Sequence, residues 1–412
     1  MQRRYPLRLY LAGTLAARAG DEMAGPALLL TGFTAAGSSG DASLLLAGIT
    51  VSSAVGGPVL GALLDRAERP GHLLAMALVL YAAGLGAVLA ALGRLPFAVT
   101  VLIAVCTGLL GPALSGGWTA QLPRVATGER LPRANALDAM TFGAASLAGP
   151  ALAGGAAELL GAPAAVVVAA GLIGVALPAA WLLPAAPARP TPGRGPGRSA
   201  GRGLRTGPVS GEIAAGVRAI AGSPPLARAT LSSVVCCAAQ GMLTACTAPL
   251  GEHVLGSAGR GAMLLSFAAV SALVVNAVRV RFPRRAAPAT VIRAGALVQA
   301  AALVLAASLR PGPLIVAMLL LGAGEGPQLT ALFAVRHAEA PERLRGQIFT
   351  TGASLKITGF ALGASAAGPL VPWSLPGTLL LAASVSVLGG MVSSRGGREV
   401  PRSTEPGPAG RP

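Results

Sequence analysis

The strongest constraint on this chain is a series of apolar runs, each long enough to cross roughly 30 Å of hydrocarbon as a helix. Six lie near 7–33, 43–64, 71–92, 96–120, 135–158 and 163–184, and six more near 229–249, 261–279, 287–308, 312–334, 346–370 and 373–393. The fold class expected from them is an all-α membrane protein of twelve transmembrane helices in two six-helix bundles. Of 412 residues 53% are hydrophobic and only 11% charged, so lipid is the expected solvent. The first run begins after Arg3, Arg4 and Arg8 and superficially resembles a secretory signal. It continues to about Phe33, however, and contains Arg18, Asp21 and Glu22, as a first span can and a signal peptide does not.

The arginines test the alternation of sides, because they accumulate in cytoplasmic segments. With the N-terminus inside, 27 arginines fall in inner segments and only Arg94, Arg260 and Arg310 in outer ones. Removing the first or eleventh run would put a cluster of arginines on the wrong side. The same distribution explains the formal net charge of +17 without a nucleic-acid partner, for which basic residues would be interleaved with aromatics, here only 3%.

Residues 1–184 are therefore read as an N-terminal bundle and 226–394 as a C-terminal one. The segment 185–225 between them, rich in Pro, Gly and Arg, reads as a cytoplasmic linker. In it Val209, Ile213, Val217 and Ile220 share a helical face suited to the membrane surface. The tail 395–412 reads as disordered. The halves echo each other: Glu129-Arg130-Leu131 precedes a run containing Gly149-Pro150, and Glu342-Arg343-Leu344 precedes one containing Gly368-Pro369.

Between the second and third runs lies Gly61-Ala62-Leu63-Leu64-Asp65-Arg66-Ala67-Glu68-Arg69, which resembles the G-x-x-x-D-R-x-x-R loop signature of the major facilitator superfamily, in an efflux-like bacterial branch. Gly57 and Gly61 also form a small-xxx-small surface for close helix contact. The resemblance implies that Asp65 faces the N-terminus of the eleventh helix and locks the cytoplasmic side shut, with Gly61, Arg66 and Arg69 completing the gating loop. The alternative for these charges is a topogenic, solvated role. Gly149, Pro150, Gly154 and Gly155, with Gly143, resemble the Gly-Pro element of exporters, although three residues rather than two separate its pairs; plain helix packing is the alternative. Two departures limit the analogy. The fourth helix carries no Arg before Arg124, and the corresponding loop of the second half, Asn276 to Arg285, lacks the acid.

Ionisable residues inside a membrane are costly and so mark candidate functional sites. Arg18, Asp21 and Glu22 fall near the middle of the first helix, Glu325 of the tenth and Lys356, the sole lysine, of the eleventh. The resemblance implies that the first, fourth, seventh and tenth helices line the central cavity, bringing Glu325, part of the first helix and Gln240 of the seventh to the solute path. The competing reading pairs Arg18 with Asp21 or Glu22 at helical spacing, and Glu325 with Lys356.

His72, His253 and His337 are expected in solvated loops, the four cysteines lie in apolar runs without metal spacing, and no P-loop is present. No enzyme, metal or cofactor is expected. The resemblance implies alternating access by a monomer in the bacterial cytoplasmic membrane, with both termini inside. A small organic solute would be exported in exchange for protons. An importer or uniporter is the alternative, then a membrane-embedded enzyme or a non-transporting partner.

Overall fold

A computed structural model describes residues 5–36, 39–185, 209–256, 258–282 and 286–394. The tail 395–412 and most of the expected linker, 186–208, lie outside them. The described residues are helical throughout, without strands.

In the first half α1 spans Leu7–Ala36, α2 Ser39–Arg66, α3 Pro70–Ala91 and α4 Phe97–Gly108, which continues through a π-helical turn at Ala113–Gly117. Then come α5, Leu131–Leu160, and a sixth pass made of α6, Ala162–Val175, and the short α7, Leu177–Trp181. After α8, Val209–Gly222, the second half comprises α9 Pro224–Leu255, α10 Ala258–Arg281, α11 Pro288–Ala306, α12 Pro311–Glu339, α13 Arg345–Leu370 and α14 Leu375–Ser394.

Local chemistry sets several of these ends. Prolines 70, 224, 288 and 311 stand in the first turn of their helices, where a missing N–H costs nothing. Gly256, at φ +76°, closes α9 in a left-handed cap.

Among the described residues nine helical stretches are long and apolar enough to span a membrane. α1, α5 and α13 are not among them, because buried polar and charged groups lower their hydropathy. At 30, 30 and 26 residues they are nonetheless long enough, since each residue adds about 1.5 Å of rise. Together with the nine they are consistent with twelve passes.

Each half has its own apolar core. The first is built around Tyr10, Leu74, Leu78, Tyr81, Leu85 and Trp118, the second around Met242, Leu243, Leu303, Leu314, Met318 and Leu379. A smaller cluster joins them: Ala120 and Ala139 of the first half pack with Phe333 and Phe349 of the second. The helix α8 docks on protein rather than presenting only a lipid-facing stripe. Ala215, Ala219 and Ile220 cover Leu226, Leu344 and Ile348, while Val217 remains exposed.

Candidate functional site

Arg18 lies on the face of α1 that packs against α5 and the π-turn, and it is 2% exposed. Its partner is Asp138 of α5, fully buried, at 3.2 Å from Nη1. The competing reading, a pairing along α1, is therefore not the one formed. Asp21 and Glu22, although one turn from Arg18 on α1, accept from Tyr81 of α3 and Ser146 of α5 instead.

The pair sits in a dense polar net. Arg18 Nη1 also donates to the Asp138 carbonyl at 2.9 Å and to Thr141 Oγ1, and Nη2 donates to Thr119 Oγ1 at 2.8 Å. The Thr119 hydroxyl in turn donates to Asp138 Oδ2 at 2.8 Å. Tyr10 Oη lies 3.0 Å from the Trp118 carbonyl and 3.2 Å from Asp138 Oδ1. The π-turn makes this possible by re-aiming the end of the fourth pass, bringing Ser115 O within 3.4 Å of Arg18 Nη2. The guanidinium stacks on the Phe142 ring, 3.5 Å from its centroid.

The two remaining acids of α1 have neutral donors. Tyr81 of α3 donates to Asp21 Oδ1 at 2.6 Å, and Ser146 of α5 donates to Glu22 Oε1 at 3.0 Å. Asp21 is half-buried and directed into its own half, whereas Glu22 is exposed. Gly149 lets α5 close on α1 there, since a Cβ at that position would strike Glu22. Pro150 is exposed, and Gly154 and Gly155 have open space where a side chain would stand, so neither of that pair mediates a helix contact.

In the second half Gln240, Glu325 and Lys356 line one small cavity with Ser233, Cys237 and Gln328. Its volume of about 20 Å³ accommodates roughly one water molecule. Gln240 and Lys356 stand around the same cavity as Glu325, within electrostatic reach of its carboxylate. Glu325 and Lys356 do not close to ion-pair distance, so the competing reading of a direct pair does not hold. Behind them Gln299 donates to Gln328 Oε1 at 2.8 Å, and Gln328 donates to the Ile292 carbonyl at 3.3 Å.

The halves meet firmly toward the Arg-rich side. Asp65, at the end of α2, accepts the backbone N–H of Gly346 at Oδ1 (2.7 Å) and of Gln347 at Oδ2 (2.8 Å). Leu344, which precedes α13, offers no capping side chain, so an acid from the other half satisfies these otherwise unpaired amides and complements the helix dipole. Gly57 and Gly61 let α2 lie against Thr350, Gln347 and Ser354, and Ser354 Oγ donates to the Ser53 carbonyl at 2.7 Å. Arg66 is half-buried beside this contact and Arg69 is exposed just ahead of α3. Deeper in, Phe142 packs on Phe333 with centroids 5.7 Å apart, and Phe333 on Phe349 at 6.0 Å. These rings plug the space between the halves.

Sequence reasoning missed several of these residues. Asp138 is one: an apolar run that begins near 135 puts the acid at its rim, whereas α5 begins at Leu131 and carries it two turns in. His337 and Arg336 are not loop residues. They lie within α12 at 6% and 2% exposure, His337 against Phe349 with centroids 4.5 Å apart. His72 opens α3 and stacks on Trp181 at 4.1 Å, while His253 is exposed near the end of α9.

Two helical halves, closed on one side by a carboxylate-capped helix and an aromatic plug, with charged groups at mid-depth, are the architecture of an alternating-access membrane transporter. The sequence profile of the Major Facilitator Superfamily matches residues 10–368, and the chain belongs to that superfamily. No curated protein matches the chain at a significant level of sequence similarity. Among solved structures, the human organic anion transporter MFSD10 (TETRAN) is similar at 16% identity over 95% of this chain and 99% of that one, with a TM-score of 0.75. A bacterial homologue of the iron transporter ferroportin, in an outward-facing state, has 15% identity over 94% and 98%, with a TM-score of 0.73. The E. coli fucose:proton symporter has 16% identity over 95% and 98%, with a TM-score of 0.67. At these identities the likeness concerns the fold.

Proposed function

We propose that this transporter exports a small organic solute in exchange for protons. It would act as a monomer in a bacterial cytoplasmic membrane, with its Arg-rich side and both termini in the cytoplasm. The observation that carries the reading is that each half holds a carboxylate among its helices with no ion-pair partner among the described residues: Glu22, which accepts from Ser146, and Glu325, which shares a small cavity with Gln240. Such a group can bind a proton in one state and release it in the other as alternating access changes its hydration and neighbours. The exposure of Glu22 supports it as the α1 acid that meets the solute path, because an exposed carboxylate at that depth belongs in water rather than lipid.

The Asp65 cap and the aromatic plug support reading the Arg-rich side as the closed one, as in an outward-facing state. Export is supported by the Gly149-Pro150 element, whose glycine sets the α5 to α1 distance beside Glu22.

A solute screen in everted vesicles with a proton-sensitive dye identifies a cargo. Glu22→Gln or Glu325→Gln should then abolish gradient-driven accumulation while leaving solute exchange intact. Full gradient-driven transport in Glu325→Gln, Asp21→Asn and Glu22→Gln alike would rule out proton coupling through these groups.

A further inference from the structure

Arg336 is the buried cation that the proton-exchange reading leaves without a task. Its side chain is 2% exposed, and Nε and Nη2 have no hydrogen-bond partner. Among the described residues no carboxylate lies within ion-pair distance of it; its neighbours are the ring of Phe349, 5.7 Å from Cζ, and the backbone at Gly352. Burying an unpaired guanidinium is expensive. It is also avoidable, since Arg336 stands one turn from the end of α12 and its long side chain could reach the Arg-rich surface.

Instead the guanidinium is turned inward, into a cradle that exists only because residue 352 is glycine. A Cβ there would collide with the guanidinium. Gly352 and Lys356 are four residues apart on α13, hence on one face and about 6 Å apart at the Cβ positions. Cys237, which lines the cavity with Glu325 and Lys356, lies within electrostatic reach of both Lys356 and Arg336. His337, the next residue of α12, lies within electrostatic reach of Arg336 and Arg345 and adds no negative charge. Two cations thus stand one above the other along the second half, opposed among the described residues only by Glu325, and Phe333 and Phe349 close over the lower one.

We infer that Lys356 and Arg336 bind the anionic headgroup, carboxylate or phosphate, of an organic solute, in a site that opens on the Arg-rich side when the aromatic plug parts. This rests on the transporter reading and assigns its solute to a chemical class. Arg336 offers two free donors to an oxyanion, which suits a planar or tetrahedral headgroup. Lys356 supplies a point charge that the solute shares with Glu325, so anion binding and the Glu325 charge compete.

The test is ligand-induced thermal stabilisation of the purified protein in detergent, with sodium benzoate and phenyl phosphate as probes. Benzamide and benzylamine at equal ionic strength are the controls. Either anion should give a saturable rise in melting midpoint that the amide and the amine do not, and a larger one in Asp65→Asn, where the plug side opens more readily. Arg336→Gln and Lys356→Gln should weaken the apparent Kd at least tenfold and Arg336→Lys by less, whereas Glu325→Gln should bind as tightly as the parent or tighter. The unliganded melting midpoint and gel-filtration profile report whether each variant is folded, and Arg336→Lys keeps the test decisive should Arg336→Gln not fold.

The absence of any anion-specific shift in both the parent and Asp65→Asn, or equal shifts in the charge-neutralised variants, would overturn the assignment. Abolition of the benzoate shift by added phosphatidylglycerol would also overturn it, giving the cations to a lipid headgroup. Anion binding without flux would instead count against the transport reading, so the two failures are distinguishable.

Discussion

Asp65→Asn isolates one joint of the closed state. The carboxylate now receives two backbone N–H groups from the first turn of α13, at 2.7 and 2.8 Å. An asparagine of the same shape keeps one acceptor oxygen but turns an NH2 toward the second amide and removes the charge that faces the helix dipole. Hydrogen bonds to a charged acceptor contribute about 1.5–3 kcal/mol each and neutral ones about half that. The substitution therefore costs the closed state roughly 2 kcal/mol, with the orphaned amide of Gln347 or Gly346 regaining part of it from water. In the proposed cycle α13 and α2 separate when the Arg-rich side opens, so the open state lacks this contact and loses nothing. A difference of that size shifts the equilibrium about 30-fold toward the open state. The assay is the alkylation rate of Ala139→Cys, a plug position 3% exposed here, in everted vesicles of a variant whose four native cysteines are replaced. The rate should rise on the order of tenfold or more in Asp65→Asn. A rate within twofold of the parent would mean that Asp65 caps α13 without holding the halves together.

Two further outcomes follow from the same geometry. Asp138→Asn leaves Arg18 buried without a counter-charge, which should cost about 3–5 kcal/mol and appear as a marked fall in the melting midpoint in detergent; Arg18→Leu with Asp138→Leu should recover most of it, and failure to recover would show that the net has value beyond charge balance. For orientation, Leu95→Cys, between α3 and α4, should react with an impermeant maleimide added to intact cells and Glu342→Cys, just ahead of α13, should not; the reverse pattern would invert the topology.

The helices were legible because lipid leaves the backbone no other partner than itself, so run length and arginine placement sufficed to suggest α1, α5 and α13 as passes despite their polar and charged residues. The contact of Asp65 with α13 was anticipated from the loop motif, whose glycines and acid occupy fixed places relative to the helix end. Side-chain partners were far less legible. Arg18 has two acids one turn away on its own helix, and nothing in the order of residues says that its face of α1 meets Asp138 of α5 instead. The π-turn at Ala113–Gly117 carries no sequence signature, yet it delivers Ser115 and Thr119 to the guanidinium. The aromatic plug draws on three helices, and each of its phenylalanines taken alone is an ordinary apolar residue in an apolar run.

The distribution of charge partners divides the ionisable groups by role. Arg18 and Asp138 satisfy each other and nearly every polar atom around them, so they can hold one arrangement of α1, α5 and the π-turn. Their tie to the plug through Phe142 places them where a change in that arrangement would be felt between the halves. Glu22, Glu325, Lys356 and Arg336 have no such closure: each has a neutral donor, a distant opposite charge, or a partnerless guanidinium nitrogen. Unsatisfied ionic groups in a membrane interior are expensive to keep and gain little for stability. The first set reads as scaffold for the moving halves, and the second as the set whose partners change during a transport cycle. On that division, neutralising a member of the first set should act mainly on stability and of the second mainly on flux or binding, so Asp138→Asn and Glu325→Gln should separate the two readouts.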